Sequence, residues 1–400
     1  MNRKRAKYII IPFLGLTFGF FIMNGLAPEK KYSLSENRNL EIKPSIKEVE
    51  NHTYTEKFEK YYSDQFVFRE NLININRKSE AKLKKTEVGN YYLGEDNWIL
   101  GKFSKPLSEK KLNEYSNVIN KVGEISQSLG KDVYYTMTPH KTNMLKHLYP
   151  SYVDNKDGID NNKNELKANI EPDLIRFIDL DEYFLEKFNE KQLEKMYFKT
   201  DHHWNGIGAF EGFKVIAKRM DLGITNKDLD NHFSKYKTKV VKNKEFIGSY
   251  NRNLDMLIDE KDYPTYVYLE DTKYEYFLNN GKKDKKVDEN KVIAISRNKD
   301  SWDYGGAYIR GAQCNMLKIK NKNALVDKKV LIFRDSYQAP NTWLFADLFT
   351  EVLIVDPRNI DNINMSYKEI IKNSNSDIVM MMYNSFGFDS MIKKMIDKGI

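Results

Sequence analysis

Histidine is scarce in this chain, six in 400 residues, and two of the six are adjacent, in Thr200-Asp201-His202-His203-Trp204-Asn205. An aspartate so close to a histidine can accept one imidazole N–H, fix the tautomer and support the imidazolium that forms during proton transfer. Asp201 and His203 are two apart, so on an extended segment their side chains point the same way and His202 points the other. A second group is Val330-Leu331-Ile332-Phe333-Arg334-Asp335-Ser336-Tyr337, an apolar strand running straight into Asp-Ser. A serine at the carboxyl end of a strand, before a helix, is placed to act as a nucleophile. Its backbone N–H and the first N–H groups of the helix can meet a developing oxyanion. It needs a base, and His203 is the available one. Asn384, closing the run Asp377–Tyr383, offers a side-chain amide to the same oxyanion, and Tyr337 is a further donor candidate.

Singly, each feature is ordinary. Asp201-x-His203 could be a solvated loop, Asp335-Ser336 a helix cap, and Asn384 a turn residue. A metal at Asp201 and His203 would need further ligands, and none stands at useful spacing, so no metal and no cofactor are expected. There is no Walker or GxGxxG motif, Gly305-Gly306 does not form a phosphate loop, and Met380–Met382 reads as core.

The elements that must position these residues alternate. Apolar runs rich in β-branched and aromatic residues occur at Val133–Thr138, Ile175–Leu180, Val292–Ser296, Val330–Phe333, Val352–Val355 and Ile378–Tyr383, with a short one at Asn97–Leu100. Helix-like segments lie at Glu109–Leu129, Leu185–Lys195, Gly208–Met220, Trp343–Phe349 and Tyr367–Asn373. Such alternation predicts an α/β domain with a mostly parallel sheet and flanking helices, and its chemistry just past the carboxyl ends of the strands. Leu278–Lys291 and Asp154–Asn164 are polar and read as exposed loops. Tyr54–Glu87 reads as helical, with Phe58, Tyr61, Tyr62 and Phe66 spaced for one apolar face.

Tyr8–Ala27 contains no charged residue, and twenty residues at about 1.5 Å each span roughly 30 Å, the thickness of a hydrocarbon core. Arg3, Lys4, Arg5 and Lys7 precede it, which keeps the amino terminus cytoplasmic and sends the remainder outside. A cleaved signal peptide is the alternative, but Pro28 after Gly25-Leu26-Ala27 hinders cleavage, so an uncleaved anchor is expected. Four of the net +8 charges sit in that tail, which leaves +4 for the rest. No basic stripe interleaved with stacking aromatics is present, so nucleic acid is not an expected partner. A mean hydropathy of −0.67 excludes a multi-pass membrane protein, and the single cysteine, Cys314, excludes an intrachain disulfide. The predicted organisation is a tail over 1–7, an anchor over 8–27, an extended linker over 28–53 and a catalytic domain over 54–400. That domain carries an insertion around 225–291.

Together, a serine after a strand, an Asp-x-His pair and a following asparagine resemble the SGNH hydrolase superfamily, with a flavodoxin-like sheet. In most of that superfamily Asp and His lie three apart near the carboxyl terminus. Here they are two apart and precede the serine. That permuted order resembles the alginate O-acetyltransferase (AlgJ/AlgX-like) group and its Gram-positive relatives, the DHHW family, whose four letters stand here as Asp201-His202-His203-Trp204. Ser35-Glu36-Asn37-Arg38-Asn39-Leu40, Tyr61-Tyr62-Ser63-Asp64-Gln65-Phe66-Val67-Phe68-Arg69 and Thr138-Pro139-His140-Lys141 with Tyr149-Pro150 resemble further segments of that family. One departure concerns the oxyanion site: where the superfamily usually places a glycine, this chain has Asp356-Pro357-Arg358-Asn359.

The resemblance implies a membrane-anchored, extracellular O-acetyltransferase acting on a cell-surface or secreted polysaccharide. Ser336, His203 and Asp201 would form the triad, and Trp204, Arg358 and Lys141 are substrate-binding candidates. It also implies a membrane-bound O-acyltransferase partner as acetyl donor. The alternatives on the same residues are an esterase that deacetylates envelope glycans and a non-catalytic glycan-binding assembly subunit.

Overall fold

The computed structural model describes residues 3–33, 38–45, 53–154, 157–243, 245–279, 281, 283–292, 301–308, 316–358, 363 and 365–400. The strand expected at Val292–Ser296, beyond Val292 itself, lies outside these residues, as do Ser35–Asn37, Cys314 and Asn359. The chain divides into two units, Met1–Gly89 with Arg252–Ile258, and Asn90–Asn251 with Asp259–Ile400.

In the first unit, helix α1 (Arg3–Leu26) contains the apolar stretch, and the segment Lys7–Leu26 is long and apolar enough to cross a membrane. The single helix expected over Tyr54–Glu87 is two, α2 (Tyr54–Gln65) and α3 (Arg69–Lys82). The break has a local cause. Phe68 takes a left-handed φ of 60°, and the Val67 N–H is drawn away to the Asn24 side chain at 2.7 Å. Left-handed backbone in a bulky residue ends a right-handed helix.

The second unit is built on an eight-stranded sheet. Its strands are β1 (Asp132–Thr138), β2 (Arg176–Asp179), β3 (Glu275–Asn279), β4 (Lys285–Val287), β5 (Met316–Lys320), β6 (Val326–Arg334), β7 (Phe349–Val355) and β8 (Ile378–Asn384), in spatial order β4-β3-β5-β7-β6-β8-β1-β2. From β7 through β2 every pairing is parallel; β4, β3 and β5 join antiparallel. Parallel strands are buried on both faces, and the register divides accordingly. Val330, Ile332, Ile378, Met380 and Met382 pack on one face with Phe213, Leu344 and Phe345. Leu331, Phe333, Val379, Met381 and Tyr383 pack on the other with Ile119, Ile370 and Ile392. The first face is covered by α6 (Gly206–Arg219) and α7 (Thr342–Leu348). The second is covered by α4 (Glu109–Gln127), α8 (Tyr367–Asn373) and α9 (Phe388–Asp397).

Two expected loops are regular structure. Leu278–Lys291 contributes to the β3–β4 hairpin. Asp284 pairs with Lys318 of the neighbouring strand at 2.6 Å and Lys286 with Glu275, while Tyr276, just before the segment, goes into the core. Within Asp154–Asn164 begins helix α5 (Gly158–Ala168), which buries Ile159 and Leu166. The polar residues there have specific partners: the Asn162 side chain accepts from the Leu107 N–H and donates to the Lys105 carbonyl. A polar composition hid an element whose polar groups are satisfied internally.

Candidate active site

Strands β1, β6, β7 and β8 end on one edge, and each is followed directly by polar residues: Thr138–Lys141, Asp335-Ser336, Asp356–Arg358 and Asn384. The Asp201 loop reaches this edge from the segment before α6. Tyr197 and Trp204 form an isolated antiparallel bridge across it. Asp262 holds its first arm, accepting from the Lys199 N–H at 3.1 Å and from the Thr200 N–H and hydroxyl, each at 2.7 Å. The buried Lys141 ammonium donates to the carbonyls of Ile99, Lys199 and Asp201, each at 2.8 Å. Trp204 is fully buried, donates its indole N–H to the Tyr337 carbonyl at 2.8 Å, and lies against Gly212, where a Cβ would come within 2.9 Å of its ring.

On this frame Ser336 Oγ lies 2.7 Å from His203 Nε2, and His203 Nδ1 lies 2.6 Å from Asp201 Oδ1. The Asp201 carboxylate also accepts the His203 backbone N–H at 3.0 Å and the Ser249 backbone N–H at 2.6 Å. Burial alone would raise the Asp201 carboxyl, but the imidazoles of His203 and His202 and these hydrogen bonds hold it well below the ordinary carboxylate range. It is therefore a fixed anion facing His203. Tyr304 stacks on the His203 ring with centroids 3.6 Å apart and planes 7° from parallel.

The serine turn has its own scaffold. Asp335 caps it: Oδ1 accepts the Tyr337 N–H at 2.8 Å, and Oδ2 accepts both the backbone and side-chain N–H of Asn384 at 2.6 Å. An arrangement of a serine, a base on its hydroxyl and an anion behind the base suits nucleophilic acyl chemistry.

Residues 92–295 match the family model described as SGNH hydrolase-like domain, acetyltransferase AlgX. The chain belongs to this family. Among solved structures, PatB1 of Bacillus cereus with a sulfonyl adduct is 21% identical, covers 77% of this chain and 99% of its own, and superposes with a TM-score of 0.64. A DHHW family protein from Eubacterium siraeum is 20% identical, with coverages of 74% and 91% and a TM-score of 0.57. These two likenesses establish a shared fold. No curated protein matches the chain.

As a member of this SGNH-like family, the chain uses several of the sequence candidates in unexpected ways. Lys141 is not a substrate-binding side chain, because its ammonium is spent on three backbone carbonyls. Trp204 cannot stack on a substrate, because it has no exposed surface. Tyr337 is not an oxyanion donor: its hydroxyl is turned to the His202 carbonyl at 2.5 Å and its N–H to Asp335. Asn384 serves Asp335 through one amide N–H, and its amide oxygen accepts the Phe386 and Gly387 N–H groups, so it braces the turn. Arg358 remains at the edge. It grips Asp356 through Nε at 2.8 Å and Nη2 at 2.6 Å, with 43% of its side chain exposed.

His202 does not point away from its neighbours. The loop is bent, its ring centroid lies 3.7 Å from that of His203, and Nδ1 meets Ser249 Oγ at 2.9 Å. Burial, with His203 beside it, pulls the His202 imidazole down to about 3, so it is neutral at ordinary pH. Asp201, His202 and His203 could face one ion by proximity alone. The same atoms also serve one another and two serines: the carboxylate accepts three N–H groups, His203 lies between Asp201 and Ser336, and His202 Nδ1 meets Ser249 Oγ. Sequence reasoning missed Ser249, Asp262 and Tyr304, which lie 48, 61 and 103 positions after Asp201 and carry no motif of their own.

Proposed function

We propose that this protein is an exported O-acetyltransferase, held in the membrane by α1, that modifies a cell-surface or secreted polysaccharide through an acetyl-serine intermediate. The observation that supports the reading most is the unbroken chain from Ser336 Oγ to His203 to Asp201, at 2.7 and 2.6 Å. In the first half-reaction His203 Nε2 takes the Ser336 proton as Oγ attacks the donor's acetyl carbonyl. Asp201 keeps the other imidazole nitrogen protonated and stabilises the imidazolium. The Ser336 backbone N–H receives the oxyanion as the tetrahedral centre forms. His203 then returns its proton to the leaving group. In the second half-reaction a sugar hydroxyl gives its proton to His203 and attacks the acetyl-serine; as the tetrahedral centre collapses, His203 passes that proton to the departing Ser336 Oγ and the acetylated sugar is released. Acetyl donors of the cytoplasm lie across the bilayer, so a membrane-bound O-acyltransferase is proposed to supply the group.

The test is acylation of the full-length protein in detergent with an activated acetyl ester, read by peptide mass spectrometry. The expected result is an acetyl group on the Ser336 peptide, none in Ser336→Ala, and no restoration of glycan acetylation when that variant replaces the native gene. Acetylation restored by Ser336→Ala would overturn the nucleophile assignment. Rapid acetate release without a sugar acceptor would assign the site to an esterase instead.

A further inference from the structure

Helix α2 is tied to the chain that precedes it by three of its side chains. Tyr61 OH donates to Glu29 at 2.9 Å, Asp64 accepts the Glu41 N–H at 2.9 Å, and Gln65 bonds both the N–H and carbonyl of Lys30 and the carbonyl of Glu41. Three of its rings are nevertheless open: Tyr54, Phe58 and Tyr62, at i, i+4 and i+8, are 36%, 40% and 42% exposed. Phe68, at the break, and Leu72 and Ile75 of α3 add to this, exposed by 49%, 44% and 62%. A globular protein buries such a stripe and leaves the polar side in water.

The rings also run in a continuous series into the apolar helix. Tyr54 stacks on Phe58 at 5.9 Å, Phe58 on Tyr62 at 6.4 Å, Tyr62 meets Phe66 at 6.0 Å, and Phe66 stacks on Phe20 of α1 at 5.5 Å. The Asn24 side chain, in the last turn of α1, holds the Val67 N–H. The aromatic stripe is thus pinned to the end of the segment whose length and composition suit a bilayer. Aromatic side chains concentrate at that depth, where an apolar ring and a polar tip meet different solvents.

We propose that α2 and α3 form an interfacial collar. On this proposal, which rests on the anchor reading of α1, the Tyr54/Phe58/Tyr62 stripe lies in the headgroup–acyl boundary of the outer leaflet. The occupant of the open face is lipid, reached about 5–10 Å into the boundary. The collar fixes how α1 leaves the bilayer, so that the chain after it starts parallel to the surface rather than on a free tether.

The test uses full-length protein with Cys314→Ser in phosphatidylglycerol-containing vesicles, carrying either Phe58→Cys or Glu56→Cys and an environment-sensitive fluorophore. Glu56 lies on the opposite side of α2 from Phe58. Quenching by doxyl lipids about threefold stronger at position 58 than at 56, with blue-shifted emission, is expected for a buried stripe. Equal quenching at the two sites, while the protein resists carbonate extraction, would overturn the collar and leave the anchor standing. Release of the protein by carbonate would overturn both. Tyr62→Cys, read in the same way, guards against a local effect of labelling at Phe58.

Discussion

Replacing Asp201 by asparagine keeps the size of the side chain and removes only its charge and one acceptor, and the structure decides how the site responds. The carboxylate receives three N–H groups: His203 Nδ1 at 2.6 Å, the His203 backbone at 3.0 Å and the Ser249 backbone at 2.6 Å. An amide has one oxygen to offer. With that oxygen toward His203, its NH2 group faces the Ser249 N–H, donor against donor, at 2.6 Å. With the oxygen toward Ser249, the NH2 group faces His203. There the imidazole can relieve one conflict by moving its proton from Nδ1 to Nε2, leaving only the longer 3.0 Å backbone contact in conflict. The second orientation is favoured, and it puts N–H on Nε2, which then cannot accept the Ser336 proton.

The expected loss in the acylation rate is about 10³–10⁴-fold, the size associated with a wrong tautomer in serine hydrolases and equivalent to roughly 4–5.5 kcal/mol. One orphaned N–H also costs about 1–3 kcal/mol of stability. The rate is read by single-turnover acylation with an activated acetyl ester, and the tautomer by ¹⁵N NMR of the imidazole. An Asp201→Asn enzyme within about tenfold of the native rate would refute the reasoning, as would an imidazole still protonated at Nδ1.

Three other substitutions test the frame of the domain, two of them beside the site. Lys141→Met leaves the Asp201 carbonyl without its cationic donor and removes the ammonium that lies 5.0 Å from the Trp98 ring centroid. A stability loss of about 2–4 kcal/mol with lower kcat and unchanged KM is expected from denaturation and kinetics; raised KM with native stability would restore the substrate-binding role. In Gly248→Ala the added Cβ collides with the Thr200 carbonyl, so the turn must shift and carry the Ser249 N–H off Asp201. A loss of about 1–3 kcal/mol and a reduced acylation rate are expected, and an unchanged melting curve would show that the turn yields freely. Asp347 accepts the hydroxyls of Tyr236 and Tyr274, and burial raises it from 3.8 to about 6. Between those values the folded state holds a proton that the unfolded state has released, so stability falls as pH rises from about 4 to 6 and is level above, by at most about 3 kcal/mol. Asp347→Asn removes that contribution, and a variant with the native pH slope would contradict it.

What could be read in the sequence, and what could not, follows from where each signal resides. The strand–helix alternation was legible because β6 and β8 are buried on both faces and therefore write continuous apolar runs, Val330–Phe333 and Ile378–Tyr383. Asp201, His203 and Ser336 stood out because their residue types and their places at element ends are local facts. The roles of Lys141, Trp204, Tyr337 and Asn384 were not local. Each carries a chemical group suited to substrate, and each spends it on a backbone group or carboxylate brought near only by folding: Lys141 on the Ile99 carbonyl 42 positions away, and Asn384 on Asp335, 49 away. A polar residue beside a reactive one is ambiguous for a physical reason. Holding a serine and an imidazole within hydrogen-bond reach at a strand edge leaves many loop carbonyls and N–H groups out of water, and each needs a partner. Polar residues near such a centre are thus first required to satisfy its loops. Arg358, bound to Asp356 yet with much of its side chain in solvent, is the candidate with surface left over to meet a substrate.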